Sequence, residues 1–565
     1  MLAASKEFLG VPFAPKPARF TSAELWTRRY EGGHLEAKTY SAQCLQNFFP
    51  GSVKPAHATF SEDCLHLTIY TPREDRDRFG KPVHPPREKG TWPVMLWIHG
   101  GALTTGSAMA TNYNASVLAA RGRVVVAAAN YRLGVLGFAS VSAEEGAGTT
   151  SNQGFRDQRV AMSWVRQHIG AFGGDPARIT IFGESAGGDS VGIHVASIGS
   201  AGLFDQAIMQ SGGGFIGNVL PLEEAQRGTN QIAKSVGCVD ARDLSCLQRV
   251  PASKLLDAAA MSPALGAVVD GDILMASPVE LVRRGTFNRV PFVLGTMQNE
   301  GNAFLYPPAV NLKPVNASVF QCVLQTAFGG NASAILNMFH PAPGSDNRPQ
   351  LSQFLTDIVF LCPTRKLARA LAMAGAAPWA YSFKRHPKCA FLEQIGFGDL
   401  PGAAHGDDVQ YVFDNFEWLA SDPPKSNFPG GTTCIPARED LLLADEVVDL
   451  WAGFAKHGEV FWPHFDVGDE QDLRIDVNTI AGLETETERD RRSECEMLDS
   501  LGIGISNSVG PVMFSLATCG DTPFALDEPH RQNLGQTWKY ICLAFVTWCL
   551  ACVICVLTGT RRRVP

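Results

Sequence analysis

The sequence has no excess of positive charge, no internal repeat and no long low-complexity tract. Its 48 Lys and Arg residues are outnumbered by 56 Asp and Glu residues, which gives a formal net charge of −8 at pH 7. A nucleic-acid-binding protein needs a basic surface to displace the counterions of the phosphate backbone. The composition therefore gives no reason to expect a nucleic acid as a partner.

Cysteine is present in moderate number, with 14 residues in a chain of 565. That is too few for a small disulfide scaffold, and 45% hydrophobic and 18% charged residues are ordinary for a protein with a large core. The length alone suggests three or four domains. Residues 1–7 lack a basic stretch followed by an apolar one, so no secretory signal is visible there.

The most informative motif in the sequence is Gly-Glu-Ser-Ala-Gly at residues 183–187. The β-branched and aromatic residues 179–182 before it predict a buried strand, and residues 186–198 after it predict a helix. A strand, a sharp turn and a helix are the context in which G-x-S-x-G marks an exposed nucleophilic serine, here Ser185. A chance match is the alternative, because the chain contains 55 glycines.

Further apolar runs predict buried strands at 93–98, 124–129 and 291–295, while residues 157–169 predict an amphipathic helix. Strands that alternate with helices favour a mainly parallel α/β sheet. The first of these strands leads into His99-Gly-Gly-Ala102, whose backbone N–H groups are suited to an oxyanion hole. A simple turn is the alternative there.

Acyl transfer needs a hydroxyl, a base and an anion that orients the base. In α/β-hydrolases these follow the chain order Ser, Asp or Glu, His. Ser185, Glu300 and His405 satisfy this order. Taken singly, Glu300 and His405 would be an ordinary surface carboxylate and an ordinary histidine, since the chain has 56 acidic residues and 13 histidines.

Together these motifs resemble the carboxylesterase type B family, which includes cholinesterases, carboxylesterases and some fungal-type lipases. The similar segments extend over residues 10–465. They are the runs beginning at Gly10, Arg19, Ser61, His99, Asn130, Phe172, Phe182, Gln210, Val269, Asn299, His405 and Trp451. The resemblance implies one large α/β-hydrolase domain with a mostly parallel mixed sheet flanked by helices, in place of several domains.

The resemblance also implies roles for individual residues. Ser185 matches the nucleophile of a serine ester hydrolase, His405 the general base and acid, and Glu300 the orienting acid. The backbone N–H groups of Gly101, Ala102 and Ala186 match the oxyanion hole. No metal or organic cofactor is expected.

Other family features concern residues around the triad. Glu184 matches an acidic neighbour of the nucleophile, and Ser211 matches a serine close to the triad. Four cysteines match the first two family disulfides, and one ion pair matches a structural salt bridge: Cys44–Cys64, Cys238–Cys246 and Arg19–Glu62.

Three departures from the family bear on specificity. Ala102 stands where many relatives have a glycine, and its methyl group is expected to disfavour bulky alcohols. No tryptophan occurs at 45–63, where cholinesterases carry one that binds a quaternary ammonium. Residues 261–265 replace acyl-pocket aromatics and predict a roomy, apolar pocket. We therefore expect a preference for uncharged esters over choline esters.

Two other functions remain open from the sequence. A lipase would use the first disulfide loop, with Phe48 and Phe49, as a lid over a long acyl groove. A non-catalytic adhesion protein of the same fold would lack part of the triad, whereas this chain keeps Ser185, Glu300 and His405.

The C-terminus predicts a transmembrane helix at 538–560. Residues 540–560 carry no charge and would span roughly 30 Å as a helix. Aromatic residues Trp538 and Tyr540 precede this stretch, and three arginines at 561–563 follow it, which places the catalytic domain in the lumen or outside the cell. A buried core helix is the alternative. The cysteines at 549, 552 and 555 favour helix packing or palmitoylation over a metal site.

The expected domain organisation is a catalytic domain at 1–505, a linker at 506–537, the membrane helix at 538–560 and a basic tail at 561–565. Disulfides need an oxidising compartment, yet no signal sequence is visible. We therefore expect the natural chain to begin upstream of Met1. A tail-anchored protein with a cytosolic catalytic domain is the alternative.

Overall fold

A computed structural model of the chain describes residues 5–47, 58–73, 91–142, 149–216, 219–259, 265–306, 314–393, 400–416, 434–477, 485–487, 491–503, 512, 515 and 519.

One large sheet runs through the described part of the chain. Its ten strands are β1 (Ser5–Pro12), β2 (His66–Pro72), β3 (Trp92–Ile98), β4 (Val125–Ala129), β5 (Gly174–Glu184), β6 (Gln206–Gln210), β7 (Phe292–Met297), β8 (Trp379–Phe383), β9 (Gln471–Ile475) and β10 (Thr485–Thr487). Their spatial order is β1-β2-β4-β3-β5-β6-β7-β8-β9-β10. Strands β3 to β9 pair in parallel, while β1 with β2, β2 with β4, and β9 with β10 pair antiparallel. The predicted mostly parallel mixed sheet is confirmed.

Helices cover the sheet. They are α1 (Ser116–Gly122), α2 (Gly134–Phe138), α3 (Gln153–His168), α4 (Ala186–Ala196), α5 (Leu222–Ser235), α6 (Leu244–Arg249), α7 (Ala252–Ala259), α8 (Pro278–Arg283), α9 (Asn302–Leu305), α10 (Ala317–Phe328), α11 (Ala332–Met338), α12 (Arg348–Leu355), α13 (Cys362–Met373), α14 (Asp407–Phe413), α15 (Arg438–His457) and α16 (Arg492–Ser500). A π-helical turn, Thr356–Leu361, joins α12 to α13.

The alternation of side chains along β3 explains why this strand is apolar throughout. Val94, Leu96 and Ile98 pack into a core on one face of the sheet, whereas Met95 and Trp97 pack into a second core on the other face. Both faces of the sheet centre are therefore buried under helices.

The strands predicted near 93–98, 124–129, 179–182 and 291–295 are confirmed as β3, β4, β5 and β7. The helix predicted at 157–169 is confirmed as α3, although it begins earlier, at Gln153. The helix after Ser185 ends at Ala196, two residues before the predicted end.

Five disulfides occur among the described residues. Cys44–Cys64 and Cys238–Cys246 are the two that the family resemblance implies. Three more join cysteines whose pairing the sequence left open: Cys322–Cys519, Cys362–Cys495 and Cys389–Cys434. The Arg19–Glu62 ion pair is also present, with two short side-chain hydrogen bonds.

Within the described ranges, no helix combines the length and the apolar character needed to cross a membrane. The expected membrane helix at 538–560 and the tail at 561–565 lie outside those ranges, as does the expected linker apart from residues 512, 515 and 519.

Candidate active site

Ser185 occupies a strained turn between β5 and α4. Its backbone angles are φ 59° and ψ −128°, a positive φ that residues with a side chain rarely adopt. The Ser185 N–H donates to the carbonyl of Gln210 over 2.9 Å, which ties the turn to the end of β6. The structure thus places Ser185 on the elbow that the G-x-S-x-G motif predicts.

The two motif glycines are required by close packing at this elbow. A Cβ atom on Gly183 would lie 2.6 Å from the Gly187 backbone and from the carbonyl oxygen of Ile98. A Cβ atom on Gly187 would collide with the same Ile98 oxygen. Because any larger residue would separate the elbow from β3, both positions must be glycine for this turn to form.

The turn after β3 lies directly against the elbow. A Cβ atom on Gly100 would be 2.9 Å from that of Ser185. Gly101 and Ala102 follow with φ of 107° and 53°. In the described part of the chain, the N–H groups of Gly101, Ala102 and Ala186 donate to no protein acceptor. Three backbone donors near Ser185 are therefore available to an oxygen atom of a ligand.

Glu300 and His405 form a buried pair. Nδ1 of His405 lies 2.5 Å from Oε2 of Glu300, whose side chain is fully buried. The other carboxylate oxygen of Glu300 accepts the N–H of Met297 over 2.8 Å, at the end of β7. Because a carboxylate is only an acceptor, the Nδ1 atom of His405 must carry a proton in this pair.

Glu184 approaches His405 from the side of the other ring nitrogen. Its Oε1 atom lies 3.2 Å from Nε2 of His405 without forming a hydrogen bond. Burial lowers the pKa of His405, but Glu184, Glu300 and Asp408 outweigh it and raise this pKa to about 9. Burial raises the pKa of Glu184 to about 8, although His405 opposes the shift. Glu184 directly precedes Ser185, so the structure brings Ser185, Glu300 and His405 into one site.

Two aromatic rings flank the imidazole of His405. The ring of Phe360 lies 4.6 Å and the ring of Phe304 5.5 Å from it, centre to centre. Phe360 belongs to the π-helical turn, and Thr356 in the same turn accepts the N–H of Gly301 over 3.1 Å. Sequence reasoning missed both rings, because a phenylalanine in an apolar helix gives no signal of its partner.

A buried polar chain lies behind the histidine. The side chain of Gln210 donates to Asp408 over 2.9 Å and accepts from Trp451 over 3.0 Å. Tyr381 donates to the same oxygen of Asp408 over 3.3 Å. Burial raises the pKa of Asp408 to about 6, although Gln210 opposes the shift. This chain connects β6, β8 and α15 beneath the segment that carries His405.

Ser211 and Asp189 are two further buried polar residues near the elbow. Ser211 has a positive φ of 48°, and its hydroxyl oxygen has no hydrogen-bond partner in the described structure. Asp189 accepts the N–H groups of Gly213 and Phe215 over 2.8 and 2.9 Å. Asp189 therefore fixes the loop after β6 to the first turn of α4. Asp189 was not predicted as a site residue, although a carboxylate one turn after the nucleophile is visible in the sequence.

Some predicted elements lie outside the described residues. These are Phe48 and Phe49 of the first disulfide loop and residues 261–264 of the predicted acyl pocket, although Leu265 is described. Within the described ranges, no cluster of three His, Cys, Asp or Glu side chains could hold a metal ion. The cysteines at 549, 552 and 555 are not among those residues.

The sequence and the fold are similar to those of known proteins. The model of the carboxylesterase family matches residues 3–491. Pyrethroid hydrolase Ces2e of Rattus norvegicus is 32% identical over 508 residues, which cover 84% of this chain and 82% of the relative. Acylcarnitine hydrolase of Mus musculus is 32% identical over 510 residues, which cover 84% of each chain.

Two further similarities complete the comparison. Human neuroligin-2 is 33% identical over 509 residues, which cover 80% of this chain but 57% of neuroligin-2. The solved structure of a PNB esterase superposes with a TM-score of 0.69 at 27% identity, over 87% of this chain and 96% of the esterase.

Proposed function

The chain belongs to the carboxylesterase family and is a carboxylic ester hydrolase, and from that premise we propose that it cleaves esters through a covalent acyl intermediate on Ser185. The observation that carries this proposal is the buried 2.5 Å hydrogen bond between Glu300 and His405 beside the Ser185 elbow. A histidine held in this way presents its second nitrogen as a base.

The reaction begins with proton transfer from the Ser185 hydroxyl to Nε2 of His405 as the serine oxygen attacks the ester carbonyl. The Nδ1–H group of His405 stays bound to Glu300, which stabilises the imidazolium that forms. The imidazolium returns the proton to the leaving alcohol when the tetrahedral intermediate collapses. Water then attacks the acyl carbon while His405 accepts a proton from it. When this second tetrahedral intermediate collapses, the bond between the acyl carbon and the Ser185 oxygen breaks, His405 returns the proton to that oxygen, and the carboxylic acid leaves.

The N–H groups of Gly101, Ala102 and Ala186 receive the negative charge that develops on the carbonyl oxygen. Their position next to Ser185 and their lack of a described protein acceptor support this role. Each such donor contributes about 10²–10³ in rate in related chemistry. Glu184 and Ser211 lie next to the reacting groups without taking part in proton transfer. Glu184 raises the pKa of His405.

The decisive experiment is hydrolysis of a p-nitrophenyl ester series from acetate to palmitate by the full chain and by its Ser185→Ala variant. We expect the variant to retain less than one thousandth of the activity. Activity that survives this substitution would exclude Ser185 as the nucleophile. The chain-length optimum also tests the lipase alternative, which predicts higher rates on long, insoluble esters than on soluble ones.

The preference among alcohols rests on the absence of a tryptophan at 45–63 and on the methyl group of Ala102. We propose that uncharged esters are better substrates than esters of quaternary ammonium alcohols. The name of the mouse relative points to a rival class, since an acylcarnitine carries a quaternary ammonium group. Comparing kcat/KM for butyrylcholine, butyrylcarnitine and butyl butyrate decides between the two classes.

A non-catalytic adhesion protein is the second candidate function. The similarity to neuroligin-2, at 33% identity against 32% for each of the two esterases, supports this function only weakly. The complete set of Ser185, Glu300 and His405 favours the enzyme instead. Absence of esterase activity, and of labelling by a fluorophosphonate, in folded protein would support the adhesion function.

We also propose, from the sequence, that residues 538–560 anchor the protein in a membrane with the catalytic domain in the lumen or outside the cell. The five disulfides support an oxidising compartment for that domain. Extraction of cell membranes with alkaline carbonate tests the anchor. Release of the full chain into the supernatant would contradict it.

A further inference from the structure

The segment of residues 400–405, which ends at His405, is held at two points by carboxylates. The N–H group of Leu400 donates to Oε1 of Glu393 over 2.8 Å. The N–H group of Ala404 donates to Oδ2 of Asp407 over 2.8 Å. We call residues 400–405 the histidine segment. Its backbone path near each end depends on where these two carboxylates lie.

His386 connects the same two carboxylate oxygens. Its Nδ1 atom lies 2.7 Å from Oδ2 of Asp407, and its Nε2 atom lies 3.2 Å from Oε1 of Glu393. His386 follows β8, so it is placed by the central sheet and not by the histidine segment itself. One ring therefore fixes both carboxylates that hold this segment.

The ring of His386 must carry a positive charge to make both contacts. Carboxylate oxygens only accept hydrogen bonds, so both ring nitrogens have to donate. Burial lowers the pKa of His386, but the contacts with Asp407 and Glu393 outweigh it and raise this pKa to about 10. The imidazolium is thus the form present at neutral pH, and it compensates the buried carboxylate of Asp407.

The opposite side of the histidine segment is bound to the loop that carries Glu300. The N–H group of Asn299 donates to the carbonyl of Ala403 over 2.9 Å, and the side chain of Asn302 donates to the carbonyl of Pro401. The segment is therefore held between the Glu300 loop and His386. A shift of its backbone would change the 2.5 Å contact between Glu300 and His405.

We propose that His386 is a positioning residue for His405: by bridging Asp407 and Glu393, it holds the histidine segment in the path that aligns His405 with Glu300 and Ser185. This inference rests on the proposed function of Ser185 and His405. His386 does not touch the reacting atoms. Its effect on the rate comes through the geometry of the general base, where small displacements are costly.

The test compares His386→Gln with His340→Gln in the full chain, since His340 is exposed and distant in sequence from the triad. Glutamine is neutral and cannot donate to both carboxylates with the geometry of the ring. We expect kcat for p-nitrophenyl butyrate to fall about tenfold in His386→Gln, with KM within about twofold of the parent value. His340→Gln should leave both constants unchanged.

The rate at which a fluorophosphonate labels Ser185 is the second readout, because it depends on the base and not on ester binding. It should fall by a similar factor in His386→Gln. The double variant His386→Gln with Asp407→Asn should be no slower than Asp407→Asn alone, because both changes break the same connection.

A purely structural role for His386 predicts a lower melting temperature but an unchanged kcat at 20 °C, and that result would overturn the proposal. So would a rise in KM alone. If His386→Gln yields no folded protein, Glu393→Gln takes its place, and a kcat within twofold of the parent value then overturns the proposal. Activity that survives Ser185→Ala would instead refute the proposed function, which keeps the two failures distinct.

Discussion

Glu184 and Glu300 face opposite nitrogens of one imidazole. Oε2 of Glu300 lies 2.5 Å from Nδ1 of His405, and Oε1 of Glu184 lies 3.2 Å from Nε2. Only the first contact is a hydrogen bond, since the Glu184 oxygen has no hydrogen-bond partner in the described structure. One carboxylate therefore holds the ring by a hydrogen bond, and both raise its pKa.

Replacing Glu184 should move the pH dependence of the reaction. A general base must be neutral, so kcat/KM rises with pH as His405 loses its proton. The charge of Glu184 raises the pKa of His405, which stands at about 9. In Glu184→Gln we expect the midpoint of the rising limb to shift by about one unit toward lower pH. Because His405 and Glu184 interact strongly, this midpoint is an apparent pKa of the two groups together.

The measurement is kcat/KM for p-nitrophenyl butyrate between pH 5 and 10. Glu36→Gln is the matched control, because Glu36 is exposed and pairs only with Lys38 among the described residues. An unchanged midpoint in Glu184→Gln would show that Glu184 does not act on the base.

Replacing Glu300 should lower the rate with little effect on substrate binding. In Glu300→Gln the amide loses the charge that stabilises the imidazolium, and it can favour the wrong tautomer of His405. We expect kcat to fall by about 10³–10⁴, with KM nearly unchanged. Glu223→Gln serves as the control, because the side chain of Glu223 is 90% exposed. A loss of less than tenfold would assign the orienting role to another acid, and Glu184 and Asp408 are the two others that raise the pKa of His405.

Asp189 should contribute to stability through the backbone N–H groups that it accepts. Asp189→Ala leaves the N–H groups of Gly213 and Phe215 without an acceptor, so we expect the free energy of unfolding to fall by about 2 kcal/mol or more. Asp189→Asn keeps an acceptor oxygen and should cost less. Urea unfolding at pH 7 measures both, with the exposed Asp257→Asn as control. Equal losses in Ala and Asn variants would contradict this interpretation.

The same residue should make stability depend on pH. Burial raises the pKa of Asp189 to about 7, although the N–H groups of Phe215, Gly213 and Gly214 oppose the shift. Between the pKa of an unfolded aspartate, about 4, and pH 7, the folded state therefore binds more protons than the unfolded state. Its contribution to the free energy of unfolding falls as the pH rises through this window. Asp189→Asn should lose this slope, whereas Asp257→Asn should keep it.

The Cys389–Cys434 disulfide should stabilise the part of the chain that contains His405. Its cysteines are 45 positions apart, and closing a loop of this size in the unfolded chain corresponds to about 4 kcal/mol. We expect Cys389→Ser with Cys434→Ser to lower the free energy of unfolding by about that amount. Denaturant unfolding measures it, and an unchanged midpoint would show that tertiary contacts alone fix this region.

Local sequence predicted the elbow well because the strand, the two glycines and the helix start follow one another directly in the chain. The close packing of Gly183 and Gly187 against Ile98 involves a distant strand and is known only from the structure. The buried strands could be predicted equally well. A strand is apolar at every position, as at Met95 and Trp97 and their neighbours, when helices cover both faces of the sheet.

The surroundings of His405 could not be predicted in this way. Phe360 contacts the His405 ring from a π-helical turn. His386 contacts Asp407 and Glu393, which in turn hold the histidine segment. Neither residue has a sequence spacing from His405 that a motif could reveal. Their contacts depend on how β8 and the π-helical turn are placed relative to α14. The three residues Ser185, Glu300 and His405 could be recognised only because α/β-hydrolases share the chain order Ser, Asp or Glu, His.

The Cys322–Cys519 disulfide has a mechanical consequence for the chain beyond it. Residue 519 is joined covalently to α10, which is part of the helical layer of the domain. A pulling force applied to residues 520–565 therefore enters the fold at Cys322 and bypasses α16. The hydrogen bonds of α16 lie outside this path, so tension from that end would not unravel α16 first.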